Sequence, residues 1–468
     1  MHGEVVVNPV TRANNQGQIE IRLERGKVAD CRSSCFFFRG FEIMLQGRDP
    51  RDAPYFTERI CGICSAAHAT AAAFAVEDLA GVRPPENGNI LRNILLAADT
   101  VQNHVKHFYL FVVPDYAAGP DRPPFAPRYR NDYRLPPEVN ARIIRHYFEA
   151  ADISRVAHEI LTVLGGKAPF THGILAGGAT VPPDGAVIMD LGARVQKLKE
   201  FVQNKMIPDA HTIAGAYPEY FELGNRPLRL LNFGFLPVDP ERKRFHFPGK
   251  VVEETGMREV SVASITEELR HAYFREHGEP GQPGTRPTEA QPGKPGAYSW
   301  CKAPRYNGKA FEGGPLARLW ITGHYRRGIS AMDRIIARVL ETDILCGLIE
   351  KWLDELQRDE PIFTPFEVPG DGEGLGLTGA MRGPLLHYMC VRGGRISRYD
   401  IITPSAWNFS PRDAKGEPGP VEEALVGTPI KDPEQPIEVG RIIRSFDPCY
   451  ACATHLIAGN KRLHQFIV

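Results

Sequence analysis

The sequence predicts a mainly α-helical chain with small β parts, an α+β fold whose core is a bundle of long helices preceded by N-terminal β-hairpins. Three observations predict it: apolar stripes at three- and four-residue spacing through the middle of the chain, alternating short runs near the N-terminus, and a hairpin-like pair of runs around Gly393-Gly394.

In order along the chain, Glu4-Val5-Val6-Val7 and Gln18-Ile19-Glu20-Ile21-Arg22-Leu23 read as strands, with Gly26 as a turn. Ile90, Ile94, Ala97, Val101, Val105, Phe108 and Val112 form one face of a long helix, bounded by Pro84-Pro85 before it and Pro114 after it. Similar stripes follow Pro136-Pro137 (Val139, Ile143, Tyr147) and recur at Leu191, Val195, Leu198 and Val202. A further one runs through Ile335, Val339, Thr342, Cys346, Ile349 and Leu353. Several amphipathic helices of this length must face one another. Residues 276–297 are dense in Gly, Pro and charge and predict an exposed loop, whereas 386–391 and 395–402 flank Gly393-Gly394 as a hairpin. We read one large unit. Residues 1–60 are its β-rich part, 61–275 are helical, 276–297 form the loop, and 298–455 are helical and end in a site segment.

Composition excludes several function classes. The 468 residues carry 56 Lys+Arg against 56 Asp+Glu, so no bulk field favours nucleic acid or an anionic membrane. No apolar run approaches the ~20 residues of a membrane helix. The N-terminus lacks the basic and apolar blocks of a signal peptide, so export or membrane attachment is expected only through a partner.

Nine cysteines in a chain this long do not read as a disulfide framework. Four fall into two C-x-x-C pairs, Cys61/Cys64 and Cys449/Cys452. Thiolates at i and i+3 converge on one side of a tight turn, so two pairs supply four soft ligands. Structural zinc, a [4Fe–4S] cluster and another thiophilic metal all fit that set. The pairs lie 385 residues apart, Cys64 to Cys449, which is a long way to reach for a merely structural staple. Cys346 lies on an apolar helical stripe, and Cys31 and Cys35 flank Phe36-Phe37-Phe38, so these three read as buried thiols. Cys301 and Cys390 show no pattern.

Arg59-Ile60-Cys61-Gly62-Ile63-Cys64 together with Asp447-Pro448-Cys449-Tyr450-Ala451-Cys452-Ala453-Thr454-His455 resembles the paired signature of nickel–iron hydrogenase large subunits. The resemblance runs nearly end to end. It takes in Phe38-Arg39-Gly40-Phe41-Glu42, the helix with His104, His107, Phe108 and Tyr109, Lys302 to Gly308, and Arg382-Gly383-Pro384-Leu385-Leu386-His387-Tyr388. It implies nickel held by all four thiolates, with Cys61 and Cys449 terminal and Cys64 and Cys452 bridging to an iron that carries carbonyl and cyanide ligands. H₂ is then split between the metals and a sulfur base, Cys449. Arg382 is implied beside the metals, Pro404 and Ser405 beside a cyanide, His68 on the sulfur of Cys64, and Asp447 next to the last cysteine pair. Glu42, a backbone carbonyl near Ile401, and His455 match a Mg²⁺ site. The tail 456–468 matches an extension that a maturation endopeptidase removes.

No further cluster motif provides a wire for electrons, and the resemblance supplies one through an Fe–S small subunit. The likeness is to uptake-type members, membrane-associated through their partners, with a membrane cytochrome as an acceptor. The sequence departs from the family pattern at three positions. The family's glutamate falls on Asn14 in Arg12-Ala13-Asn14, its canopy carboxylate on Asn103, and the proline before the key arginine is Met381. An amide is a poor general base, so the proton exit route must differ, or turnover is slow. The loss also keeps a rival open, a regulatory H₂-sensing subunit. Dye-linked turnover separates the two.

Overall fold

A computed structural model describes residues 2–126 and 128–450. The N-terminal strands β1 (His2–Val7), β2 (Gly17–Glu24) and β3 (Lys27–Cys35) form an antiparallel sheet in sequence order. The helical middle opens with α1 (Ser65–Ala80), which the stripes do not mark, and continues as they predict with α2 (Glu86–Lys106), α3 (Pro137–Gly165) and α4 (Gly185–Phe201). Helix α2 begins directly after Pro84-Pro85. Its helical path continues to Val112, but over His107–Val112 the turns widen to π geometry. Such widening is frequent near functional sites, and here it accompanies His107, whose Nε2 lies 2.6 Å from the Arg444 carbonyl.

Residues 61–275 are not helical throughout. Strands β4 (Arg229–Pro237), β5 (Phe245–Glu253) and β6 (Gly256–Glu259) form a meander, and β7 (Ile265–Glu268) pairs with β8 (Ala303–Tyr306). Strand β4 is buried on both faces from Leu230 onward, so its sequence lacks the period-two alternation that betrays a half-buried strand. Residues 276–297 are irregular but tethered. Gly284 N donates to Asp400 Oδ2 at 2.6 Å, and the buried Lys294 ammonium donates to the carbonyls of Leu269 and Phe274 at 2.6 and 3.0 Å.

Beyond the loop come α5 (Pro315–Thr322), α6 (Ala331–Glu355), the sheet β9 (Gly372–Ala380), β10 (Gly383–Arg392) and β11 (Arg395–Ile402), and α7 (Ile437–Ser445). The expected hairpin is β10–β11. Its third strand, β9, is glycine-rich and so does not look like a strand in sequence. The glycines are there because α1 lies directly on the sheet: a Cβ at Gly376 would sit 1.9 Å from the Ala71 carbonyl oxygen. Alanines on α1 and glycines on β9 let the two backbones approach closely, which anchors the helix that begins next to Cys64. No helix among the described residues is long and apolar enough to cross a membrane.

Candidate metal centre

Cys61 closes the short turn Glu58–Ile60 in extended conformation, and Cys64 is the residue that opens α1. Cys449 lies beyond α7, after Asp447 turns the chain at φ 59°. Although 388 residues apart, Cys61 and Cys449 bring their sulfurs within 3.5 Å. The sulfurs of Cys61, Cys64 and Cys449 all lie within 4.8 Å of one another, and all three residues are buried. Cys452 and His455 fall outside the described residues.

Charge and contact fix the C-terminal sulfur. Asp115 accepts from Arg444 Nε and Nη2 at 2.5 and 2.6 Å and from Arg12 Nη2 at 2.6 Å. Burial alone would raise its carboxyl, but Arg12 and Arg444 outweigh burial and hold it down at about 2. This clamp ties the segment before Cys449 to the N-terminal loop. Asn14 N then donates to the Pro448 carbonyl at 2.9 Å. Gly17 admits the ring of Tyr450, since a Cβ there would lie 2.2 Å from Tyr450 Cε1.

The Asn14 side chain reaches the sulfurs themselves. Its Nδ2 is 3.0 Å from Cys61 Sγ and 3.1 Å from Cys449 Sγ. Where a carboxylate would accept, this amide donates to both.

Arg382 sits in the tight turn between β9 and β10. Gly383 has φ +141°, and a Cβ there would lie 2.9 Å from the Gly313 backbone, so glycine is required. Arg318 braces the turn. It donates to the Ala380 carbonyl at 2.8 Å while gripping Glu341 at 2.6 and 2.7 Å, and His104 Nε2 lies 2.9 Å from the same carboxylate. Arg382 Nε in turn lies 3.0 Å from Asp447 Oδ1, and Nη2 donates to Asn103 Oδ1 at 2.6 Å. Asn103 Nδ2 donates to Asp447 Oδ2 at 2.9 Å. The amide at position 103 thus bridges a cation and an anion, which a carboxylate could not do equally well. Burial opposes ionisation of Asp447, but Arg382, His107 and Arg338 overcome it and keep its carboxyl at about 2.

Arg382 Nη1 is buried with no hydrogen-bond partner among the described residues. It borders a small pocket lined by Cys64, His68, Ala380, Met381, Arg382, Leu385, Pro404 and Ser405. A desolvated guanidinium nitrogen beside clustered soft thiols fits a thiophilic metal carrying anionic or dipolar ligands. The sequence-expected Arg382, His68, Pro404 and Ser405 therefore share one pocket with Cys64, and Asp447 lies just behind Arg382.

Glu42 is elsewhere. Its Oε1 accepts from Ile401 N at 2.9 Å and lies 3.2 Å from Lys302 Nζ, which also approaches Glu267 at 3.5 Å. Glu42 and the Ile401 backbone are thus neighbours through the Ile401 amide. Burial raises Glu267 to about 7, with Lys302 opposing it.

Sequence reasoning gave no role to His387, Tyr399, Asp99 or Asp115. His387 falls on the inward positions of β10 with Leu385, Met389 and Val391, and a histidine in such a register is a usable signal of a buried polar contact. His68 Nδ1 is 3.1 Å from His387 Nε2. Asp99 interrupts the apolar face of α2 and accepts from Ala66 N at 3.1 Å, at the start of α1. Cys301, without a sequence pattern, is buried beside Cys35.

Thiols gathered from both ends of an α+β chain beside a buried guanidinium are the donor set of a candidate site for a thiophilic metal. The sequence model of nickel-dependent hydrogenases matches residues 39–118, 113–328 and 323–455. The periplasmic [NiFeSe] hydrogenase large subunit of Desulfomicrobium baculatum is 35% identical over 97% of this chain and 95% of its own length. The hydrogenase-1 large chain of Escherichia coli is 32% identical with the same two coverages, and relatives include the uptake hydrogenase large subunit of Rhodobacter capsulatus at 29%. The [NiFeSe] hydrogenase of Desulfovibrio vulgaris Hildenborough in its reduced state superposes with a TM-score of 0.94 at 37% identity, covering 97% of this chain and all of that one. The chain belongs to the nickel-dependent hydrogenase family. It is the catalytic large subunit of an H₂-oxidising enzyme with a nickel–iron centre, and it works with a small subunit.

Proposed function

We propose that Cys61 and Cys449 are terminal nickel ligands, that Cys64 and Cys452 bridge nickel to iron, and that the iron carries carbonyl and cyanide. The observation that carries this reading is the convergence of three buried sulfurs within 4.8 Å beside the unpartnered Arg382 Nη1. When bound, the metal pair supplies a soft Lewis-acid centre that polarises H₂. The rest of the chemistry belongs to the chain. Cys449 Sγ takes the proton. Arg382, fixed by Asp447 and Asn103, offers Nη1 to the pocket. Ser405 and Pro404 face a cyanide, and His68 faces the sulfur of Cys64. Infrared spectroscopy of the purified complex tests this reading. Carbonyl and cyanide bands support it, and their absence from nickel-replete protein rejects it.

A proton on Cys449 cannot pass to Asn14, which is already donating to that sulfur. Asn14→Glu discriminates: a large rise in H₂ uptake identifies a crippled relay at position 14, and unchanged uptake supports a separate route.

Glu42, the Ile401 carbonyl and His455 form the proposed Mg²⁺ site, since oxygen donors with one imidazole suit that ion. Residues 456–468 are proposed to be removed by a maturation endopeptidase, leaving His455 terminal. The mass of the active large subunit tests this. Electrons pass to Fe–S clusters of the small subunit, and the likeness to uptake enzymes favours a membrane cytochrome beyond it.

A further inference from the structure

A neutral histidine carries its proton on one ring nitrogen, and its hydrogen-bond partners decide which. His387 Nδ1 lies 2.8 Å from the Tyr399 hydroxyl, and His387 Nε2 lies 3.1 Å from His68 Nδ1. All three side chains are buried. Among the described residues the Tyr399 hydroxyl has no other hydrogen-bond partner. A buried O–H left undonated loses its hydration with no return, so the phenol must donate to His387 Nδ1.

The rest follows by valence. With Nδ1 accepting, neutral His387 bears its proton on Nε2 and donates it to His68 Nδ1. His68 in turn must carry its own proton on Nε2. Burial favours the neutral form of His387. It lowers His387 well below the usual histidine value.

We propose that Tyr399 is a positioning residue. Acting through His387, it locks His68 in the Nε2–H tautomer, so that His68 offers a donor to the pocket it shares with Cys64. The proposal rests on the reading of that pocket as the metal site, because a fixed donor is useful there against thiolate sulfur or another anionic ligand. It also explains why a phenol on β11, at a distance from the sulfurs, is aligned with a histidine pair.

Neutron diffraction of the deuterium-exchanged holoenzyme, with nickel measured on the same preparation, reads the proton positions directly. Deuterons are expected on Tyr399 Oη, His387 Nε2 and His68 Nε2. A deuteron on His68 Nδ1 in nickel-replete crystals overturns the relay alone, whereas crystals in which zinc replaces nickel overturn the site reading. Tyr399→Phe keeps the ring and removes the director. Its infrared carbonyl band is expected at lower wavenumber than the wild type's, since a weakened donor to sulfur leaves more electron density on the iron. A Tyr399→Phe spectrum superposable on the wild type's also overturns the proposal. The wild-type neutron result stands even if the variant does not fold.

Discussion

The first cysteine pair and Cys449 reach the same centre by different physical means. Cys61 and Cys64 sit at the start of a helix whose alanine-rich surface is pressed onto the glycines of β9, so packing fixes their position. Cys449 lies on a strap beyond α7 that is held by buried charge: Arg12 and Arg444 on Asp115, and Arg382 on Asp447. A site built into a core forms with the core. A site closed by ion pairs can close after the core has packed.

The largest effect is expected where that contrast is broken from the strap side. Asp115→Asn leaves two buried guanidinium groups short of their anion, and breaking a buried pair costs about 3–5 kcal/mol. Denaturant unfolding should show that loss, and metal analysis should show poor nickel retention. On the packed side, Gly376→Ala drives a methyl into the Ala71 carbonyl at 1.9 Å. Such overpacking costs about 1–3 kcal/mol, measurable as a lower Tm. Gly17→Ala, on β2 facing the strap, is the matched variant. It displaces the Tyr450 ring, and we expect a larger loss of nickel relative to its loss of stability than Gly376→Ala gives.

The smallest effect is a difference in pH dependence. Asp115 is held at about 2, below its unfolded value, so its contribution to stability is present at neutral pH and fades as pH falls through about 2. Asp99 is raised to about 7, above its unfolded value, so its contribution is complete in acid and is lost as pH rises from about 4 through 7. Asp99→Asn should flatten the fall in Tm over that interval and leave the acid limb unchanged.

Helices were legible because their apolar residues recur at three and four, and the hairpin because Gly393-Gly394 marks a turn between two short runs. Strand β4 was not, because a strand covered on both faces shows no alternation, and β9 was not, because its glycines answer to α1 rather than to strand propensity. A thiol cluster could be anticipated because cysteine pairs at fixed spacing are chemically specific, and the fold brings Cys61, Cys64 and Cys449 together. The groups that position the ligands could not. Asp115, Arg318 and Glu341 come from separate elements and look like ordinary charges until the fold brings them together, and His387 and Tyr399 acquire a role only through their 2.8 Å contact. Asn14 was legible as a loss of acidity, but its new role as a donor to two sulfurs required the fold.

Nickel-edge X-ray absorption on the purified heterodimer tests the central claim most directly. Sulfur neighbours alone from the protein, with iron close behind them, are the predicted result. Nickel surrounded by nitrogen and oxygen, or zinc occupying the thiols, would contradict it.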